Sequence, residues 1–170
     1  FVGVDNFVEA ERLVNSFREQ PKGLVVVSPS KTTISTIQKR VKGISEVCEK
    51  AGIPFKVVEL ADTQEEINEM VEKEIKEGGD SFIPLNNKCT LRILAAINRL
   101  NLSVPNDLRL ISFDDSESFE YMKPSISALR QPVTDIGLKT VARLYERIKE
   151  TKDPGKHFLL PCDFMERGSH

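Results

Sequence analysis

Apolar, β-forming residues recur in short runs at positions 2–4, 24–27, 55–60, 82–85, 108–113, 126–129 and 158–160, and most of these runs are separated by stretches with helical spacing. Ala10, Leu13 and Phe17 share one helix face, as do Ile37, Val41, Ile44 and Cys48; Ile67, Met70, Val71 and Ile75 form a third stripe. Each predicts an amphipathic helix with one buried side. Positions 89–100 carry Leu91, Ile93, Leu94, Ala95, Ala96, Ile97 and Leu100, too many for one narrow stripe. That helix is expected to bury two faces, one against a sheet and one against a further surface such as another subunit. A last helix over about 135–149 puts Val141, Leu144, Tyr145 and Ile148 on one side and stops before the turn signal Asp153-Pro154-Gly155.

The alternation is βαβα, with strand starts near 24, 55, 82 and 108 spaced by one βαβ unit, so an α/β fold with a parallel sheet and helices on both faces is predicted. Ligands of such folds collect at the carboxyl ends of the strands. Those ends hold Ser28 and Pro29, Ala61 and Asp62, Asn86 and Asn87, and Asp114 and Asp115. They offer hydrogen-bonding side chains but no strong nucleophile.

Composition narrows the reading further. The 170 residues suffice for a real core, and 39% hydrophobic with 29% charged residues describe a mixed globular chain rather than a repeat or low-complexity segment. With 24 basic and 26 acidic residues the formal charge is -2, so no long-range field draws this chain onto phosphates or an anionic membrane. Nucleic-acid binding by this chain alone is disfavoured. No apolar run approaches the ~18 to 20 residues that cross a bilayer. Cys48, Cys89 and Cys162 are widely spaced without a C-x-x-C pair, which fits buried, reduced thiols in a cytoplasmic protein.

Catalysis needs an activated nucleophile, a base within reach or a metal, and the chain supplies little of each. The two histidines, His157 and His170, have no ligand-spaced partners, so surface or packing roles are expected and no metal or cofactor is predicted. Gly78-Gly79 reads as a helix end and turn before the strand at 82. Asp114 and Asp115 are neighbours on extended chain and point to opposite sides, which predicts one carboxylate in a cleft and the other capping a turn or helix through Ser116. For Asn86 and Asn87 the corresponding division is one ligand contact and one N-cap.

The run Ser103-Val104-Pro105-Asn106-Asp107-Leu108-Arg109-Leu110-Ile111-Ser112-Phe113-Asp114-Asp115 resembles the V-P-x-D-(hydrophobic)-x-V-I-G-(F/Y)-D-(D/N) signature of the LacI/GalR family of transcription regulators. Pro124-Ser125-Ile126-Ser127-Ala128-Leu129-Arg130-Gln131-Pro132 is similar to the family's P-x-L-T-T-(V/I)-x-Q-P, and Ile136-Gly137 to its (L/M)-G. Val2-Gly3-Val4-Asp5-Asn6 resembles V-x-x-D-N, Arg40-Val41-Lys42-Gly43 resembles R-x-x-G, and Leu159-Leu160-Pro161 with Arg167-Gly168-Ser169 resemble the closing strand. Departures are Asn87 for the usual Asp, Thr90 for Ala, Ser112 for Gly and Ile44 for an aromatic residue.

The resemblance implies a two-lobed, periplasmic-binding-protein-like effector region, without the DNA-binding head and without the first part of the amino-terminal lobe. It assigns residues 1–28 and 132–155 to that incomplete lobe and 29–131 and 156–170 to the other. It also implies that a small sugar-like effector lies between the lobes, held by Arg40, Asp114, Asn86 and Thr36, with Gln131 at the lobe crossing. An Arg with an Asp and an Asn suits vicinal hydroxyls, because charge-assisted bonds fix orientation without chemistry. The apolar excess on the helix after Asn87, together with the family's interface region just before Pro124, predicts a homodimer through Leu91, Leu94 or Ile93, Tyr121 and Met122. The function so implied is effector sensing and dimerisation in a cytoplasmic regulator that is not an enzyme, meets no membrane, and reaches operator DNA through a domain absent from this chain. The rival is a solute-binding protein of a sugar import system.

Overall fold

In the computed structural model, which describes residues 1–149 and 156–170, each apolar run becomes a strand and each stripe a helix. The elements are β1 (Val2–Gly3), α1 (Asn6–Val14), β2 (Leu24–Ser28), α2 (Ser35–Ala51), β3 (Phe55–Glu59), α3 (Gln64–Lys76) and β4 (Ser81–Pro84). They continue with α4 (Asn87–Arg99), β5 (Arg109–Ser112), a 3-10 turn (Glu117–Tyr121), β6 (Ser127–Arg130), α5 (Val133–Lys149), β7 (Phe158–Leu159) and β8 (Asp163–Met165). Six strands form one sheet in the order β3-β2-β4-β5-β6-β8, parallel except for β8, which runs antiparallel to β6.

The period-two alternation of the strands sorts the core into two layers. Leu24, Val26, Ile83, Leu85, Ile111 and Leu129 face α1 and α2, where Leu13, Ile37, Ile44 and Cys48 meet them. Val25, Val27, Phe82, Leu110 and Ala128 face the opposite way, onto Ile67 and Val71 of α3 and Ile93 and Ala96 of α4. The helices start and stop where side chains or glycine permit. Thr63 and Glu66 close a capping box on α3. Gly78, at a φ of +99°, turns the chain into β4 as the Gly78-Gly79 pair predicts. Gly43 lets α1 and α2 approach closely, since a Cβ there would sit 2.3 Å from the Phe7 carbonyl oxygen.

β1 and β7 pair in parallel as a separate two-stranded sheet, and α5 contacts β1. Residues 6–28, grouped by the resemblance with the incomplete lobe, instead supply α1 and β2 to the six-stranded body: β2 is bonded on both sides, to β3 and β4, and α1 packs on α2. Two strands of two residues cannot cover a 17-residue helix. None of the α5 side chains is buried, and Val141, Leu144, Tyr145 and Ile148 line its exposed face. The Asp153-Pro154-Gly155 turn lies outside the described residues.

The second buried face expected of α4 is only partial. Ile93 is fully buried in the monomer core, which removes it from any interface, and Leu94 packs partly against the same cluster. Met122 also packs there, whereas Leu91 is 49% exposed and Tyr121 75% exposed. Cys48, Cys89 and Cys162 are buried free thiols, and burial pushes them up to about 11, about 11 and about 12. His170 is buried rather than superficial, between Phe17 and Phe164, with its Nδ1 2.8 Å from Ser127 Oγ.

Candidate functional site

β4, β5 and β6 run parallel and end on the same side, where the chain leaves the sheet to start α4, the 3-10 turn and α5. A cavity of about 880 Å³ lies there. Asn87, Asp114, Asp115 and Arg130 line it from the large sheet, Gln131 from the crossing, and Asp135 from the first turn of α5.

Asp114 is held from two directions. Its Oδ2 accepts from Arg40 Nη1 at 3.3 Å and its Oδ1 from Gln131 Nε2 at 2.7 Å. Arg40 is itself buried and sits behind Asp114, outside the cavity lining. Its Nε donates to Asn6 Oδ1 at 2.8 Å, its Nη1 also reaches the Leu85 carbonyl, and the guanidinium lies 3.7 Å from the centre of the Phe113 ring. Burial pushes Arg40 below its ordinary pKa, and Asp114 opposes that shift. Arg40 therefore acts on the cavity by fixing Asp114. Thr36, one turn earlier on α2, is half-buried and also outside the lining.

The other carboxylate takes no cap. Asp115 receives two bonds from Arg167, Nη1 at 2.8 Å and Nη2 at 3.2 Å, and a third from Arg130 Nε at 2.8 Å. Ser116 precedes the 3-10 turn without a side-chain cap bond. Burial raises the Asp115 pKa, and the hydrogen bonds from Arg167 and Arg130 outweigh it, leaving the carboxyl below the usual range. The two carboxylates diverge as expected, although the chain bends at residues 113–114 just past β5, and a pair of guanidinium groups had a stronger claim on Asp115 than a turn N–H.

Asn86 and Asn87 divide differently from the resemblance. Asn86 Oδ1 accepts from Cys89 N at 2.8 Å, the N-cap of α4, while Asn87 lines the cavity. Asn87 Nδ2 donates to the Asp115 carbonyl at 3.4 Å, and its buried Oδ1 has no hydrogen-bond partner. The departures Thr90 and Ser112 answer each other: both are fully buried and their hydroxyl oxygens lie 2.7 Å apart. Thr90 Oγ1 also lies 3.0 Å from the Asn86 carbonyl and Ser112 Oγ 2.7 Å from the Asp114 carbonyl, so one hydroxyl donates to its carbonyl while the other donates across the pair. This hydroxyl bridge ties the start of α4 to the end of β5, the two places that present Asn87 and Asp114.

Sequence reasoning missed Asn87 as the lining residue, Arg130 and Arg167 as partners of Asp115, and Asp135 and Asp163 on the far walls. Only Asn87 left a signal, since a tandem Asn at a strand end can cap with one residue alone. Among the described residues no group of three or more His, Cys, Asp or Glu side chains is placed to hold a metal ion, and no helix is long and apolar enough to cross a membrane.

A family model described as a periplasmic binding protein-like domain matches residues 10–170. A probable opine utilization operon repressor of Rhizobium rhizogenes is 34% identical over 90 residues, 52% of this chain and 46% of the relative. A lactose operon repressor of Rhizobium radiobacter is 30% identical over 90 residues, 53% of this chain and 79% of the relative. A solved LacI family transcriptional regulator of Enterococcus faecalis, with bound ribose, has a TM-score of 0.84 at 22% identity, covering 99% of this chain and 62% of that one, a likeness of fold. The chain thus spans about half the length of the first of these relatives. With the signature runs, the two-layered sheet and the cavity at the strand ends in agreement, the chain belongs to the periplasmic binding protein-like domain family, in the form carried by LacI-type regulators.

Proposed function

We propose that this chain is the effector-sensing and dimerisation region of a LacI/GalR-like transcription regulator and binds a small sugar-like metabolite. The observation that carries the reading is Asp114. It stands at the cavity with one oxygen on Arg40 of the large body and the other on Gln131 of the crossing into α5. A hydroxylated ligand that competes for Asp114 releases or shortens the Gln131 contact, and so biases the angle between the six-stranded body and the unit formed by β1, α5 and β7. That is a population shift between two lobe arrangements. We place the lobe division there, with Asp114, Gln131 and Asn87 as contacts, Arg40 as a positioning residue, and Asn86 and Thr36 at the periphery.

In this reading the chain is a cytoplasmic, non-enzymatic homodimer that touches no membrane, and operator DNA is met by a part of the protein outside it. Exposed Leu91 and Tyr121, flanked by half-buried Leu94 and Met122, are the proposed dimer contacts. Bound ribose in the Enterococcus faecalis regulator and the repressor names of the Rhizobium relatives support a regulator over an import protein. The test is a thermal-shift panel of D-ribose, D-galactose and D-glucose on the chain and on D114A. A sugar at 100 times its dissociation constant adds about 2.7 kcal/mol of stability. A shift present in the parent and absent in D114A supports the reading; no shift with any sugar, or one that D114A leaves intact, overturns it.

A further inference from the structure

The charges around the cavity define which sugar-like ligands it accepts. Asp114, Asp115, Glu117, Glu120, Asp135 and Asp163 line it, against Arg130 as the one lining cation among the described residues. Arg40 and Arg167 stand behind Asp114 and Asp115. The first turns of α4 and α5 also face the cavity, and each helix N-terminus contributes about half a positive charge. Six carboxylates against three guanidinium groups and about one charge from the two helix ends leave the cavity net negative by about two.

The hydrogen-bonding inventory points the same way. Arg130 Nε is bonded to Asp115, Gln131 Nε2 to Asp114, and Asn87 Nδ2 to the Asp115 carbonyl, while the Thr134 hydroxyl and Arg130 Nη1 stay open among the described residues. Asn87 Oδ1 is a buried, unbonded acceptor, and Asp135 and Asp163 make no ion pair among the described residues. These two carboxylates come from different elements, α5 and β8. A ligand for such a cavity is favoured when it brings donors and disfavoured when it brings negative charge, because an anion would meet six carboxylates against one lining guanidinium, itself paired with Asp115.

Resting on the proposed sugar-sensing function, we propose that the cavity selects a small hydroxylated ligand bearing a protonated amine, of the amino-sugar class, and rejects carboxylated and phosphorylated sugars. Hydroxyls meet Asp114, and the ammonium is drawn to the unpaired carboxylates Asp135 and Asp163. Neutral sugars of the same shape bind more weakly, since they offer donors without charge.

Calorimetric titration of the chain with D-glucosamine, D-glucose and D-glucuronate tests this on one ring in three charge states. The expected order is glucosamine tighter than glucose by about fivefold or more and glucuronate weaker than glucose by about tenfold, with the spread shrinking at 1 M salt, where the screening length is about 3 Å. The D135N/D163N variant should narrow the glucosamine-to-glucuronate ratio severalfold. Equal affinities, a preference for glucuronate, or a spread unmoved by salt and by the double variant overturns the inference while leaving the sugar-sensing function in place. Heat from none of the three also overturns it, and the function then stands or falls on the D-ribose and D-galactose arms of the thermal-shift panel.

Discussion

Replacing Arg40 by Met tests whether this residue is the strut of the site. Methionine keeps much of the stem volume, so the perturbation is the loss of the guanidinium. Three acceptors then lose a charged donor: Asn6 Oδ1, the Leu85 carbonyl and Asp114 Oδ2. The first two are buried, and the Asp114 side chain is only 24% exposed. Hydrogen bonds to charged groups contribute about 1.5 to 3 kcal/mol each, and removing one partner of a buried ion pair costs about 3 to 5 kcal/mol. Since Asp114 retains some water and Gln131, the lower part of that range applies, and we expect Arg40→Met to destabilise by about 3 to 4 kcal/mol. At about 2 to 4 °C per kcal/mol for a chain of this size, the melting temperature falls by about 6 to 16 °C. Urea unfolding of the parent, Arg40→Met, Asp114→Asn and the double variant closes a cycle whose coupling term should be about 1 kcal/mol or more. A cost below about 1 kcal/mol for Arg40→Met, or strict additivity in the cycle, refutes the strut.

Ile93→Ala, in the core under α4, should cost about 2 to 5 kcal/mol in the same assay, and Leu91→Ala, two positions away on the exposed face, about 0.5 kcal/mol or less; the reverse order would mean that the helix is rotated. The buried His170 ring has a lowered pKa, from burial first and Arg18 second. The unfolded chain takes up this proton at a higher pH than the folded one, so His170 costs nothing above the unfolded value near 6.5 and lowers stability as pH falls below it. Urea midpoints measured from pH 8 to 5 should therefore decline more steeply in the parent than in His170→Gln, and parallel profiles would count against the assignment.

Much of the architecture was legible in the sequence because it rests on local periodicity. Runs such as 24–27 and 82–85 are apolar at every position, which only a strand buried on both faces tolerates, and the stripes Ile37-Ile44-Cys48 and Ile67-Val71 face one layer each. The signature around 103–115 placed Asp114 at a strand end, and the cavity is there. The placement of Ile93, by contrast, depended on which of two apolar faces of α4 turns toward Phe82 and Leu110, and a helix with apolar residues beyond one narrow stripe does not declare this.

By itself, then, the sequence determined the strands, the helices, their alternation and the side of the sheet where the cavity opens, because those follow from spacing within a few residues. Only the tertiary structure decided who partners whom. Asp115 was claimed by Arg130 and Arg167, the latter 52 positions away, and Arg40 was turned inward to Asn6 and Asp114, which are 34 and 74 positions from it. Thr90 and Ser112, two departures with no local meaning, became one hydroxyl bridge across 22 positions. Long-range polar pairing has no period, since any donor and acceptor of matching charge qualify until the packed sheet brings one pair within about 3 Å and buries it. The same reason explains why Asn86 and Asn87 look interchangeable in the chain and separate in the fold: the cap takes whichever residue the end of β4 leaves in extended geometry, and the next faces the cavity.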